Sequence, residues 1–145
     1  MRKALVSFAL VALALLAPAP AMSEQSAAPT LTVKSSKYGR VLFDGRGYVL
    51  YAFTRDATGR SACYGTCAKA WPVYYAKGTL RVGTGLRRSL LGTTKRRDGR
   101  RQITYAGRPL YYYAGDTKAG QIRCQNVAEF GGTWLVVRPS GRLVR

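Results

Sequence analysis

A tyrosine–aspartate motif written twice, three cysteines and a complete lack of histidine bound the chemistry open to this 145-residue chain. Tyr51-x-Phe53-x-x-Asp56 recurs as Tyr111-x-Tyr113-x-x-Asp116. Two carboxylates beside phenolic oxygens are the raw material of a hard-cation site or an acid–base couple. A calcium ion draws on about six to eight oxygens, however, and the chain has only six acidic residues in all. Aspartate also accepts backbone amides in turns. Each Asp ends a β-prone run and has a Gly three or four residues on, so turn formation is its expected role. Ser-His-Asp and Cys-His triads need the missing histidine, which is also the commonest general base. No glycine-rich loop follows a strand and opens a helix, which excludes nucleotide folds. No catalytic residue, cofactor or metal is therefore expected.

The cysteines are Cys63, Cys67 and Cys124. An odd number leaves at least one thiol outside any intramolecular pair, and three single bridges are conceivable. Chain entropy gives about 2 kcal/mol for closing the Cys63–Cys67 loop and about 4 kcal/mol for either link to Cys124. Entropy favours the long links and proximity the short one. The spacing is Cys-x-x-x-Cys rather than the Cys-x-x-Cys of redox pairs, and no His completes a zinc site.

An oxidising compartment is expected because residues 1–21 read as an export signal. Arg2 and Lys3 precede an apolar run that is too short for a comfortable membrane span, and Ala19-Pro20-Ala21 offers small residues for cleavage. Residues 22–30 form a polar lead-in, and residues 31–145 fit a single domain. Lys and Arg total 24 against six acids, a formal charge of +18 that the loss of Arg2 and Lys3 barely changes. Such an excess stabilises no fold but attracts anionic surfaces. Arg87, Arg88, Lys95, Arg96, Arg97, Arg100 and Arg101 crowd one stretch. For an exported protein the expected partners are anionic envelope polymers or lipid head groups. Nucleic acid comes second, since export argues against routine contact with it. A solvated arginine-rich loop is the plainer reading of the same stretch.

Elements that would position these residues are short and mostly β-prone. Runs at 31–34, 41–44, 48–54, 102–106, 109–114 and 133–138 carry aromatic and branched residues, with a further edge at 143–144. Asp44-Gly45 and Ala106-Gly107 read as turns, the latter closing a hairpin. Short helices are expected at 64–70 and 86–91. Side chains alternate along a strand, so Val49, Tyr51 and Phe53 share one face, and Tyr48, Leu50 and Ala52 the other. Pro109, Tyr111 and Tyr113 match the first set. Neither face is polar, so both strands are expected to be covered on two sides. The fold class is mainly β: a compact sandwich or barrel-like domain of two pseudo-symmetric repeats, about 38–75 and 102–141, with one or two short helices.

Further landmarks accompany the doubled motif. The first half holds Cys63-x-Gly65-x-Cys67-Ala68 and Trp71-Pro72; the second holds Asp98-Gly99, Gln102-x-Thr104-Tyr105-x-Gly107, Pro109-Leu110 and, after Gly131-Gly132, Trp134-x-Val136-Val137. From about Tyr38 to Gly141 the chain resembles the bacterial secreted-repeat proteins, the predicted lipoproteins with a Tyr-x-aromatic-x-x-Asp motif. The resemblance implies an exported location and carries no established activity. It also implies a Cys63–Cys67 bridge, leaving Cys124 free or intermolecular. Two departures stand out. No lipobox cysteine is present, so a periplasmic or secreted protein without a lipid anchor is expected. Relatives tend to carry Gly-Gln-Gly where this chain has Arg123-Cys124-Gln125-Asn126. The function expected is a non-catalytic exported domain that associates with anionic envelope material. The alternative is a periplasmic redox or metal-handling accessory protein using the cysteines and the Tyr/Asp repeats.

Overall fold

The computed structural model describes residues 28 and 30–145. The expected export signal and most of the lead-in lie outside the described residues. Among the described residues, eight short strands form three small antiparallel sheets. They are β1 (Leu31–Ser36), β2 (Gly39–Asp44), β3 (Tyr51–Phe53), β4 (Leu91–Lys95), β5 (Arg101–Tyr105), β6 (Arg108–Pro109), β7 (Val127–Glu129) and β8 (Gly132–Val136). The sheet orders are β1-β2, β3-β8-β7 and β4-β5-β6. One helix, α1 (Thr66–Ala70), and a 3-10 turn at Arg88–Leu90 are the other regular elements among the described residues. The sheets stack as in a sandwich and do not close into a barrel.

Local chemistry explains the hairpins. Tyr105 pairs with Arg108 across Ala106-Gly107, and both turn residues have positive φ, 50° and 73°. That is the two-residue turn whose twist suits antiparallel strands. Phe130-Gly131 repeats the device between β7 and β8, with φ of 55° and 76°. At the end of β2, Asp44 Oδ1 accepts the backbone amides of Arg46 and Tyr48, both at 2.9 Å, which fixes the Asp-Gly turn.

The alternation read from the sequence divides the core as expected. Val49, Tyr51, Phe53 and Tyr111 lie in one buried cluster with Trp71, Trp134 and Val136. Leu50, Ala52 and Leu110 lie in a second, with Leu42, Leu91, Ile103 and Tyr105. Both strands are thus covered on two sides. Trp71 and Trp134 are fully buried; at about 150–250 Å² of area each, such burial contributes roughly 4–6 kcal/mol per residue before entropy is counted.

The strands are shorter than their β-prone runs because the extended chain changes partner along its length. In the first run, Leu50 N–H bonds to Leu42 O, while Tyr51 N–H turns to Tyr111 O. In the second, successive amides of Leu110, Tyr111, Tyr112 and Ala114 reach Ile103, Tyr51, Pro72 and Ala70 carbonyls. The segment expected to be helical at 86–91 is a single 3-10 turn feeding β4. Arg87 and Arg88 precede β4, Lys95 and Arg101 end and begin the paired strands, and Arg96, Arg97 and Arg100 lie in the loop of the β4–β5 hairpin, which Arg96 N–H closes by bonding to Arg100 O.

Candidate functional site

The two motifs meet at a local twofold axis. Tyr51 and Tyr111 exchange both backbone N–H···O bonds at 2.9 Å, so each is the other's antiparallel partner. Their side chains then cross between repeats. The Tyr51 hydroxyl donates to Asp116 Oδ2 at 2.7 Å, and the Tyr111 hydroxyl donates to Asp56 Oδ2 at 2.7 Å. The second carboxylate oxygen braces the loop that follows it. Asp56 Oδ1 accepts Ala62 N–H at 2.7 Å, and Asp116 Oδ1 accepts Arg123 N–H at 3.0 Å. The expected local turn role is thus enlarged: each Asp closes a loop of six or seven residues and ties it to the other repeat.

The aromatic residues obey the same exchange. Trp71 and Trp134 stack with centroids 3.9 Å apart and planes 2° from parallel. Phe53 of the first repeat stacks on Trp134 of the second at 4.2 Å, and Tyr113 of the second lies against Trp71 of the first at 4.9 Å. Tyr51 and Tyr111 meet the tryptophans of their own repeats edge-on, at 5.2 and 5.1 Å. Such geometry suits the ring quadrupoles and adds to area burial. The symmetry breaks at the indole nitrogens. Trp71 Nε1–H donates to Glu129 Oε2 at 2.8 Å, whereas Trp134 Nε1–H is buried without a partner.

Burial dominates the electrostatics. It pushes the Asp56 carboxyl up to about 6, against the opposing pull of the Ala62 amide, the Tyr111 hydroxyl and the Arg96 charge. Asp116 is raised by burial as well, opposed chiefly by Tyr51. Both phenols lie above the ordinary tyrosine range, first through burial and then through the carboxylate beside each. Every oxygen of the two carboxylates already accepts an N–H or O–H. Among the described residues, no three Cys, Asp or Glu side chains converge as metal ligands would.

Cys63 and Cys67 form a disulfide, and both are buried. Cys124 is a half-buried free thiol. It follows the amide that Asp116 braces, as Cys63 follows the amide that Asp56 braces, so the two cysteines are symmetry equivalents and only the first has a partner.

The basic residues scatter over several tasks. Arg100 pairs with Asp98 at 2.8 Å and lies 4.0 Å over the Tyr75 ring. Arg101 donates to Thr93 Oγ1, and Arg88 to the Leu91 carbonyl at 3.3 Å. Arg87, Lys95 and Arg97 are exposed. Arg96 is not: only 4% of it reaches solvent, and its guanidinium donates to Ser61 Oγ, Gln102 Oε1 and the Cys63 carbonyl. The sequence reading placed it with the surface patch and passed over Ser61, Tyr64 and Glu129. Arg96 lies just past β4 and an odd number of residues from the inward-facing Leu91, so alternation along the strand places it on the opposite face and gives no sign of its burial.

What this describes is a domain of two interlocked β repeats whose signature residues bind each other across an internal axis. The chain belongs to a family described as a secreted repeat of unknown function, which it matches over residues 32–74 and 92–138, more than half its length. No curated protein and no solved structure matches it. Family membership fits an exported protein, and no helix among the described residues is long and apolar enough to cross a membrane.

Proposed function

We propose that this protein is an exported, non-catalytic β domain, periplasmic or secreted without a lipid anchor, that associates with anionic cell-envelope material through its basic surface. The observation that carries the reading is where the carboxylates go. Asp44 and Asp116 are buried, Asp56 is spent on Tyr111 and Ala62, Glu129 holds the Trp71 indole, and Asp98 is neutralised by Arg100. Among the described residues the acids are thus engaged in the fold, and although Asp98 and Glu129 remain exposed, Lys and Arg far outnumber them at the surface. Fields of that kind focus polyanions and are screened over about 8 Å at physiological salt. A redox or metal-handling role has less support, because the paired tyrosines and aspartates satisfy one another and the disulfide is buried.

The test is co-sedimentation with vesicles of phosphatidylcholine, with and without phosphatidylglycerol, and retention on an anionic polysaccharide. Binding to the anionic supports at low salt and release by about 0.5 M NaCl is the expected result. Equal partition onto neutral and anionic supports would overturn the reading.

A further inference from the structure

The β4–β5 hairpin carries a guanidinium that the fold buries without a carboxylate in direct contact. Arg96 Nη1 donates to Ser61 Oγ and Gln102 Oε1, both at 2.7 Å, and Nη2 donates to the Cys63 carbonyl at 2.6 Å. All three acceptors are neutral. Its Nε–H has no partner, and neither ion pair among the described residues includes it. The Asp56 carboxylate feels the Arg96 charge through space but is joined to it by hydrogen bonds only through Ser61 and Tyr111. Buried charges are ordinarily paired, because an unpaired one forfeits its hydration without return. A fold that tolerates this one invites the question of what anion completes it.

Arg96 contributes to the wall of a pocket of about 440 Å³, and the rest of the lining is Arg60, Ser61, Tyr64, Lys95 and Arg97. Four cations and two hydroxyl side chains surround the space, with no carboxylate among them. The Tyr64 ring lies within cation–π reach of both guanidiniums, 4.2 Å from Arg96 and 3.8 Å from Arg97. Arg60, Lys95 and Arg97 are exposed and able to move onto a ligand, whereas Arg96 is held by its three hydrogen bonds. One fixed charge within the wall and three adjustable ones at the rim suit a multiply charged oxyanion. A phosphate monoester carries about 1.5 to 2 negative charges near neutral pH, and the guanidinium fork matches its oxygens.

We propose that this pocket binds a phosphate ester, which Arg60, Lys95 and Arg97 clasp against the wall that Arg96 supports. The proposal rests on the anionic-surface reading above and narrows it to one place and one chemistry. A second basic cluster, around Arg108, Arg138, Arg142 and Arg145, has no such buried, unpaired guanidinium and serves as the control.

The experiment titrates the protein with inorganic phosphate and with glycerol phosphate at constant ionic strength, following amide and arginine Nε–H resonances by NMR. Phosphatidylglycerol vesicles form the lipid arm. Saturable shifts are expected at residues 60–64 and 95–97, including the Arg96 Nε–H. Replacing Lys95→Ala with Arg97→Ala should weaken phosphate binding tenfold or more. Arg142→Ala with Arg145→Ala removes the same charge and should change it less than twofold. Equal weakening by both pairs, or titration without shifts in the pocket, overturns the site while salt-sensitive vesicle binding keeps the broader reading. Shifts in the pocket without retention on any anionic support leave the site standing for a soluble phosphate ester and remove the envelope role.

Discussion

Asp56 and Tyr111 are held by opposing forces that pH can separate. Burial raises the Asp56 carboxyl from an ordinary 3.8 to about 6, so the folded state binds its proton more readily than the unfolded chain does. A raised carboxyl costs nothing below the unfolded pKa, where both states are protonated. Its penalty grows as pH rises through the interval between the two values and is complete above about 6. Asp116 is displaced in the same direction by the same cause. Asp98, lowered by Arg100, acts oppositely but only on falling pH, below the ordinary carboxylate range. Between about pH 4 and 6, the Asp56 contribution to stability should therefore decline with rising pH by roughly 1–2 kcal/mol, after discounting for partial exposure. Asp56→Asn should remove that share of the slope. Urea unfolding of both proteins at several pH values reads the difference; identical slopes would show that Asp56 titrates in the fold as it does in the unfolded chain.

At the scale of elements, α1 is only five residues long and has no side-chain cap, so propensity alone does not hold it. Its place is fixed by the Cys63–Cys67 bridge, by Trp71 N–H bonding to Cys67 O at 2.8 Å and by the Trp71 indole in the core. Reducing the bridge releases a short loop, and the stability lost should be about 2 kcal/mol. Cys124→Ser, at a half-buried thiol without a disulfide partner, should cost well under that. Denaturation with and without a reductant measures both, and a loss from reduction no larger than that of the serine variant would contradict this account. The elements also show where the sequence was legible. Alternation along residues 48–54 and 109–114 sorted Tyr51 from Leu50 and Tyr111 from Leu110 into the right core clusters, because burial on both faces leaves a pattern in residue type. Strand β4 leaves little trace, since Leu91-Gly-Thr-Thr-Lys95 offers one large apolar side chain and no alternation, and the burial of Arg96 depends on Ser61, Gln102 and the Cys63 carbonyl, two of them contacts more than thirty residues away in sequence. Nor could spacing choose among the three cysteine pairings; only the resemblance to secreted repeats pointed to Cys63–Cys67. The crossing of Tyr and Asp between repeats leaves no local trace, because each motif reads the same whether it pairs within its own half or across the axis.

That crossing decides how the whole molecule holds together. Strand β3 of the first repeat pairs not with its own half but with β8 of the second, Phe53 opposite Trp134. Val73 bridges to Tyr111 and Tyr75 to Gln102 in return. Each half thus supplies a tryptophan and a stacking ring that pack against the other, and a tyrosine hydroxyl and a carboxylate oxygen whose partners lie in the other. A half on its own would expose the face of its indole and leave its Asp and Tyr without their partners, and no sheet in it would exceed three short strands, near the limit of independent stability. The expected outcome is that fragments 28–87 and 88–145 are each unfolded when produced alone, with flat near-ultraviolet circular dichroism and uniform random-coil amide shifts. Mixed in equal amounts, they should recover the dichroism of the paired tryptophans, because the interface between them is the core itself. Weakening that interface by Tyr51→Phe and Tyr111→Phe together should reduce reassociation by at least tenfold, since the buried Asp116 and the half-buried Asp56 each lose a donor, and each such loss costs about 1–3 kcal/mol where the group is buried. A single fragment that folds cooperatively on its own would mean that the repeats are two small domains resting against each other, and the reciprocal Tyr–Asp bonds would then be trimming on an interface rather than the bond that makes the fold.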